Sequence, residues 1–170
     1  MITIETARLL LRPMVSADAA DFLEIHEDPE VSRFVTLGAP PAGLAGAWRN
    51  VAMMLGHWTL RGYGPWTMVD RFTGQVVGRA GFWNPEGWPG LEIGWVLRRS
   101  HWGRGLATEA AIGCLDWLWT QTPVDHVISI IQPDNHRSIR VALKIGETFE
   151  RESTLNGVPV HVYGMPRPGL

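Results

Sequence analysis

The sequence lacks the features that define several large classes of protein. It has one cysteine, Cys114, in 170 residues, so no disulfide can form within the chain. No apolar run approaches the roughly 20 residues that span a bilayer, and the first residues, MITIETARLLLRP, do not form a secretion signal. The net charge of −2 is not that of a general nucleic-acid binder. We therefore expect a cytoplasmic protein that binds neither membranes nor nucleic acid.

Three kinds of site motif are also missing. The six histidines show no H-x-x-x-H spacing, so we expect no metal. The chain has no G-x-x-x-x-G-K-[ST] loop of the kind that binds nucleoside triphosphates. The dinucleotide fingerprint fails as well, because Gly103-x-Gly105 is followed by Thr108 where that motif has glycine or alanine.

Composition and patterning predict a globular α/β chain. Hydrophobic residues make up 45% and charged residues 19% of a length that suits one domain over residues 1–170. Glycine and β-branched patterns predict strands at 8–14, within 65–84 (two), at 91–98 and at 125–133, and a final hairpin turning at TLNG. Helical patterns cover 17–28 with Ser16 as N-cap, 29–35, 42–62, 106–120 and 135–146. This order predicts a mixed α/β (α+β) sheet with helices on its faces.

The helix at 106–120 has one apolar face. Its residues Ala107, Ala111, Cys114, Leu115 and Leu118 recur at helical spacing. Cys114 is therefore interpreted as a small buried hydrophobe and not as a nucleophile.

The segment SHWGRGLATEAA, residues 100–111, joins the strand LEIGWVL to this helix. Two interpretations fit two glycines around an arginine at this point. The glycines serve an ordinary turn, or they form a loop whose free backbone amides at a helix start hold a phosphate. Arg104 and Arg99 would add charge-assisted contacts to such an anion.

Six segments in order resemble the GNAT N-acetyltransferase superfamily, and more narrowly its branch of Rim-type ribosomal-protein N-terminal acetyltransferases. They are TARLLLRPM, GYGPWTMVDRFTGQVVGRAGF, LEIGWVL, HWGRGLATEAA, NHRSIRVALKIG and VYGM. The resemblance covers nearly the whole chain. It implies the GNAT fold, in which a mostly antiparallel, twisted sheet splays apart between two central parallel strands.

The resemblance also implies acetyl-coenzyme A as cosubstrate. Its pyrophosphate would lie on the backbone of the glycine loop. Its pantetheine arm would pair with the backbone of Trp95, Val96 and Leu97 in the preceding strand, where Gly94 marks the usual bulge. Asn135 matches a family position near the pantetheine. The implied cofactor contacts are Trp95, Val96, Leu97, Trp102, Gly103, Arg104, Gly105, Leu106, Ala107, Thr108 and Asn135.

The implied reaction moves an acetyl group from a thioester to an amine, which calls for a base, an oxyanion donor and an acid. Glu92 is the candidate base, with a substrate anchor or a solvated strand residue as alternatives. The amide near Trp95 is the candidate oxyanion donor. The tyrosine that many members place seven residues after the motif asparagine is Ala142 here. Ser138 matches the serine of the Rim-like branch and is the candidate acid, with capping or packing as the alternative.

The acceptor is expected between the early helices, the loop 83–90 and the last hairpin, with Phe34, Trp83, Glu86 and Trp88 as candidate lining residues. A protein N-terminus and a small amine are both compatible with this sequence. A coenzyme A-binding module with little turnover is the alternative, because the tyrosine is missing. Glu109 is interpreted as structural, and a homodimer is compatible with the many aromatic residues.

Overall fold

The computed structural model describes residues 2–35 and 43–169. Its strands are β1 (Ile4–Glu5), β2 (Leu9–Arg12), β3 (Pro65–Asp70), β4 (Val76–Trp83), β5 (Glu92–Leu97), β6 (His126–Ile131), β7 (Thr148–Leu155) and β8 (Val158–Pro166). They form one sheet in the order β1-β2-β3-β4-β5-β6-β8-β7. The pairs are antiparallel apart from β5 and β6, which are parallel. The predicted mixed sheet with a central parallel pair is confirmed.

Helices cover both faces of this sheet, as predicted. They are α1 (Asp18–Glu27), α2 (Pro29–Val35), α3 (Gly43–Arg61), α4 (Leu106–Gln121) and α5 (His136–Lys144). Helices α1 to α3 share one apolar cluster with Val76 and Val96 of the sheet. Helix α4 packs on the opposite face against Phe82, and its Cys114 is fully buried as predicted. The predicted first residue of α3, Ala42, lies outside the described residues.

The start of α1 differs from the prediction. Ser16 does not cap the helix, and its hydroxyl accepts a hydrogen bond from the Trp48 indole at 3.0 Å. The buried carboxylate of Asp18 organises this corner, accepting two bonds from Arg12 (2.6 and 2.8 Å) and one each from the Val15 amide (2.9 Å) and Thr67 (2.6 Å). Burial raises the pKa of Asp18, but these donors outweigh it and hold that pKa below its ordinary value.

The last two strands form the hairpin that the sequence predicts. Leu155 pairs with Val158, so the turn is Asn156-Gly157, and both residues have positive φ (50° and 80°). This backbone suits a two-residue hairpin, for which Asn-Gly is a preferred sequence. Strand β1 was not predicted, because two residues are too short to show a periodicity.

We expect Asp18→Asn to lower the free energy of unfolding by about 3 kcal/mol, because the neutral amide leaves the Arg12 guanidinium without its partner. Urea unfolding at pH 7 measures the loss. Asp21→Asn, on the same helix but half-exposed, is the control and should cost much less. The difference in the free energy of unfolding between wild type and Asp18→Asn should shrink as the pH falls through the lowered pKa of Asp18, since the wild-type carboxyl then becomes neutral too. Equal losses in the two variants would contradict the role of Asp18.

Candidate active site

A cavity of about 610 Å³ opens beside the parallel strand pair. Helices α1 to α3 border it on one side, and the first turn of α4 and one side of α5 border it on the other. The predicted site residues that line it are Glu92, Trp95, Val96, Leu97, Trp102, Gly103, Gly105, Leu106, Ala107, Thr108, Asn135 and Ser138. Arg104 does not line it and is exposed. The fold therefore brings nearly all of the predicted site residues to one cavity.

Strands β5 and β6 diverge along this cavity. They share one residue pair, Glu92 with Ile128, and the Ile128 amide donates to the Leu91 carbonyl at 2.9 Å. One step further, the Ser129 hydroxyl reaches the Ile93 carbonyl (2.9 Å). Alternate residues of a strand direct their backbone groups to opposite neighbours. The amide of Trp95 therefore points into the opening between the strands, whereas the backbone of Val96 points to β4, so the expectation that Val96 pairs with the pantetheine through its backbone is wrong. Gly94 pairs with Gly81 in regular register, without the expected bulge.

The glycine loop ends in a helix start with free amides. Gly103 and Gly105 both have left-handed backbone (φ +74° and +78°), and Gly105 is the N-cap of α4 without a side-chain cap bond. The first bond of the helix runs from the Glu109 amide to the Gly105 carbonyl. The amides of residues 106–108 consequently have no acceptor within the helix, and they lie at the positive end of its dipole. Such a helix start is suited to an anion.

The loop is tied to the first strands through Glu109. Its carboxylate accepts bonds from the Thr6 hydroxyl (2.6 Å) and from the Arg8 amide and guanidinium (both 2.7 Å). Arg8 also donates to the Arg104 carbonyl at 2.8 Å. Burial raises the pKa of Glu109, but these donors outweigh it and lower that pKa. The expectation that Glu109 is structural agrees with this network.

Trp102 closes the other side of the loop. Its indole donates to the Leu97 carbonyl at 2.9 Å, at the end of β5. The Arg137 guanidinium lies 4.7 Å from the centre of the indole ring, within range of a cation–π contact. The Trp102 side chain thus fixes the loop against the strand.

Glu92 lies at the point where the two parallel strands part. Burial raises the pKa of its carboxyl to about 7, against the opposing effects of the Trp88 indole, the Arg79 charge and the Ile130 amide. The indole donates to Oε2 at 2.8 Å. A Cβ placed on Gly94 would lie 3.8 Å from Oε1, so the absence of a side chain there leaves space beside the carboxylate. A half-buried carboxyl with this pKa can accept a proton near neutral pH.

Two residues at the start of α5, Asn135 and Ser138, face the cavity and have different roles. Asn135 caps the helix, its Oδ1 accepting from the Ser138 amide at 3.2 Å, so its side-chain NH₂ remains for another partner. Ser138 lines the cavity, and its hydroxyl has no bond to another described residue. Ala142, at the position where tyrosine is usual, is fully buried and clusters with Tyr163 and Ile131.

A second carboxyl, which the sequence analysis missed, lies behind Glu92. Glu147 is 1% exposed; its Oε1 lies 3.0 Å from the Ser129 hydroxyl and its buried Oε2 has no partner among the described residues. Ser129 has one hydrogen, and the Ile93 carbonyl can only accept it. Both bonds form together if Glu147 is protonated and donates to Ser129. Burial raises the pKa of Glu147 to about 8, and the charge of Glu92 adds to that rise.

Three of the four residues that were predicted to line the acceptor region do line the cavity. Phe34, Trp83 and Trp88 line the cavity, but Glu86 does not: its side chain is 99% exposed and pairs with Arg61 at 3.2 Å. Part of the early-helix region that was expected to frame the acceptor, residues 36–42, lies outside the described residues. The sequence analysis also missed Arg79, although an arginine in the apolar strand VVGRAGFW was a visible signal.

The described residues contain neither a metal-binding cluster nor a membrane-spanning helix. No group of three or more histidine, cysteine, aspartate or glutamate side chains there is arranged to hold a metal ion. Among the same residues, no helix has the length and apolarity needed to cross a bilayer.

Fold and site together define a class of mixed α/β protein, in which a splayed parallel strand pair and a glycine-rich helix start face one cavity. The model of the family described as "Acetyltransferase (GNAT) domain" matches residues 8–148. The chain belongs to this family.

The relatives agree with that assignment. The "Uncharacterized N-acetyltransferase p20" of Bacillus licheniformis is 30% identical over 157 residues, covering 91% of this chain and 86% of the relative. An acetyltransferase from Agrobacterium tumefaciens is 29% identical, with a TM-score of 0.85 and coverage of 97% and 94%. RimL, titled a ribosomal L7/L12 alpha-N-protein acetyltransferase in complex with coenzyme A, shares the fold at 16% identity, with a TM-score of 0.80 and coverage of 97% and 98%. The protein is an N-acetyltransferase of the GNAT family.

We expect Glu147→Gln to gain stability relative to the wild type as the pH rises from about 5 to 8. The wild-type carboxyl keeps its proton in the folded state but loses it on unfolding above its ordinary pKa, so its contribution falls with rising pH by at most about 1.4 kcal/mol per unit. The glutamine amide donates to Ser129 without titrating. Urea unfolding at pH 5 and pH 8 measures the difference.

Glu152→Gln is the control, because it removes a carboxyl from an exposed strand position. Part of the pH dependence of the free energy of unfolding should persist in Glu147→Gln, since the pKa of Glu92 is also raised. If the free energy of unfolding depends on pH equally in wild type and Glu147→Gln, Glu147 is not the protonated donor.

Proposed function

We propose that the protein transfers the acetyl group of acetyl-CoA directly to a primary amine while both substrates are bound. The observation that carries this proposal is the position of Glu92. Its half-buried carboxyl shares one cavity with the glycine loop, and burial raises its pKa to about 7. A base and a cofactor cradle that face the same space suit attack by a bound amine on a bound thioester.

The pyrophosphate would be held by the backbone of the loop from Trp102 to Thr108. The left-handed glycines and the free amides of residues 106–108 support this role. Arg137, Arg140 and Lys144 line the same end of the cavity and add positive charge. Arg104 would contribute its backbone, since its side chain lies outside the cavity. Coenzyme A in the RimL complex supports this choice of cofactor.

The pantetheine arm would lie in the opening between β5 and β6. The Trp95 carbonyl, which faces this opening, is suited to pair with it, whereas Val96 would contribute its side chain. Leu97 has its carbonyl bonded to Trp102, so its amide is the group left to contact the arm. Asn135 would donate from its side-chain NH₂.

The reaction would proceed by attack of the neutral amine nitrogen on the thioester carbonyl carbon. Glu92 takes a proton from the amine, the new C–N bond forms, and the C–S bond breaks. The Trp95 amide would stabilise the negative charge on the carbonyl oxygen. Coenzyme A leaves as a thiolate, which the hydroxyl of Ser138 would stabilise by a hydrogen bond, passing on a proton that it regains from solvent in the open cavity, because Ala142 provides no phenol.

We expect coenzyme A and acetyl-CoA, but not ATP or NAD, to stabilise the protein. At 100 times the dissociation constant the gain is roughly 2.7 kcal/mol, or about 5 °C or more in Tm for a chain of this size. Gly103→Ala should lower the affinity for coenzyme A about tenfold, through disturbance of the amides that hold the phosphates. Thermal unfolding and calorimetric titration measure both effects.

Gly74→Ala is a closely matched control. Gly74 has nearly the same backbone (φ +73° against +74°), and a Cβ at either position meets nothing within 4 Å. Gly74 lies in the β3–β4 turn, away from the cavity. Both variants should lose about 1 kcal/mol of stability from left-handed strain, and only Gly103→Ala should lose affinity. An equal, unchanged affinity in both would mean that the glycines serve only the turn.

We expect kcat/KM to rise with pH through about 7, because Glu92 accepts a proton only in its ionised form, which predominates above its raised pKa. Glu92→Gln should lower kcat by roughly 10²- to 10⁴-fold and remove this limb. Thiol release at pH 6 to 9 measures the profile. A variant that raises KM and leaves kcat and the pH limb intact would identify Glu92 as an anchor for the amine.

A further inference from the structure

Arg79, which lines the cavity, has no partner among residues 2–35 and 43–169. Arg79 lies on β4 and lines the cavity, yet its side chain makes no hydrogen bond or ion pair with any described residue. Its Nε is fully buried and unsatisfied. Burial lowers the pKa of Arg79, so the environment disfavours an isolated charge. A buried cation of this kind calls for an anion that is not part of the described chain.

The other half-buried arginines show the contrast. Arg8 is paired with Glu109, Arg12 with Asp18 and Arg98 with Asp21. Arg167 donates to main-chain carbonyl groups, including that of Thr122 at 3.1 Å. Glu92 attracts Arg79 over a distance but lies beyond ion-pair range of it. The fold satisfies its other enclosed guanidinium groups and leaves this one open toward the cavity.

The register of β4 and β5 places Arg79 near the reaction centre. Arg79 pairs with Val96, Gly81 with Gly94, and Trp83 with Glu92. Paired residues of antiparallel strands share a face, so these three pairs follow one another along the face beneath α1 to α3. The middle pair has no side chains. A bare patch of sheet therefore separates the free guanidinium at one end from the Glu92 carboxylate at the other.

We propose that Arg79 binds a carboxylate of the acceptor, and that the acceptor is an amino acid-type molecule whose amine lies at Glu92. This inference rests on the proposed function and names its substrate class. A guanidinium matches a carboxylate through two parallel hydrogen bonds. Phe22, Val31 and Trp83 line the same region, so an apolar side chain on the amino acid suits the remaining space. A polyamine or a neutral amine would leave Arg79 unpaired.

The cofactor is a poorer partner for Arg79. The positive charges at the pyrophosphate end of the cavity come from α5 and the glycine loop, next to α4. Arg79 lies on the face covered by α1 to α3, where His26 of α1 faces the same cavity. Burial lowers the pKa of His26, and the charge of Arg79 adds a smaller effect in the same direction. The His26 Nδ1 donates to the Phe22 carbonyl at 2.6 Å, and an imidazole is neutral or positive, so His26 supplies no negative charge.

The test compares matched acceptors with and without the carboxylate. L-Methionine, L-leucine and L-tryptophan are assayed by thiol release beside their decarboxylated amines. For at least one pair, we expect wild-type kcat/KM to favour the amino acid by roughly 10- to 100-fold, the effect of a charged hydrogen-bonded contact. In Arg79→Met this ratio should fall toward one. Arg71→Met, which removes an exposed arginine outside the cavity, should keep the wild-type ratio.

Binding measurements separate the failure of this inference from failure of the proposed function. Calorimetry follows coenzyme A binding to wild type and Arg79→Met, and then amino acid binding to the coenzyme A-loaded proteins. Equal coenzyme A affinity with loss of amino acid binding in the variant supports the inference. The inference is overturned if the loaded wild type binds no amino acid, if both members of each pair react equally, or if Arg79→Met chiefly weakens coenzyme A binding. Absence of coenzyme A binding by the wild type would instead overturn the proposed function.

Discussion

The divergence of β5 from β6 is the constraint on which the rest of the structure depends. In a regular parallel pair, the Ile93 carbonyl and the Ile130 amide would continue the ladder that begins at Leu91 and Ile128. Here the Ser129 hydroxyl takes the carbonyl, and the Glu92 carboxylate is stabilised by the Ile130 amide. Side chains thus replace backbone partners at the point of separation. The strands can part without leaving the Ile93 carbonyl or the Ile130 amide unsatisfied.

The same separation of β5 from β6 explains why the pKa values of Glu92 and Glu147 are raised, in contrast to that of Asp18. Asp18 is almost fully buried but receives four hydrogen bonds, so its pKa falls. Glu92 and Glu147 are enclosed between elements that supply few donors, and burial raises the pKa of both. Three carboxyl groups in one small protein therefore have different protonation behaviour. The number of donors within reach decides the outcome, and burial alone does not.

Anchoring of the glycine loop links the edge of the sheet to its centre. Glu109 ties the first turn of α4 to Thr6 and Arg8, and Arg8 reaches back to the loop at Arg104. Trp102 fixes the other side of the loop to the end of β5. The free amides of the helix start are thus held by contacts on both sides. A preorganised anion site needs no rearrangement when its ligand binds.

Local periodicity, capping and turn chemistry predict the order and type of every element except β1. They also predict the hairpin at Asn156-Gly157, the buried Cys114 and the residues of the glycine loop. The family resemblance added the prediction of a splayed sheet and of Glu92 beside the point where the strands part. The environment of each carboxyl could not be predicted in this way. Asp18 and Glu147 are charged residues near element ends, and only the packing of distant strands shows one with four donors and the other with a single hydroxyl.

The sequence by itself determined which segments fold into which elements, since those choices depend on neighbours within a few residues. Only the tertiary structure decided that Arg79 is enclosed without a partner in the part of the chain that the structure describes, that Glu86 faces solvent, and that Glu147 lies behind Glu92. Each of these facts depends on residues far apart in the chain. Burial and charge pairing are properties of the assembled core, and no local pattern encodes them.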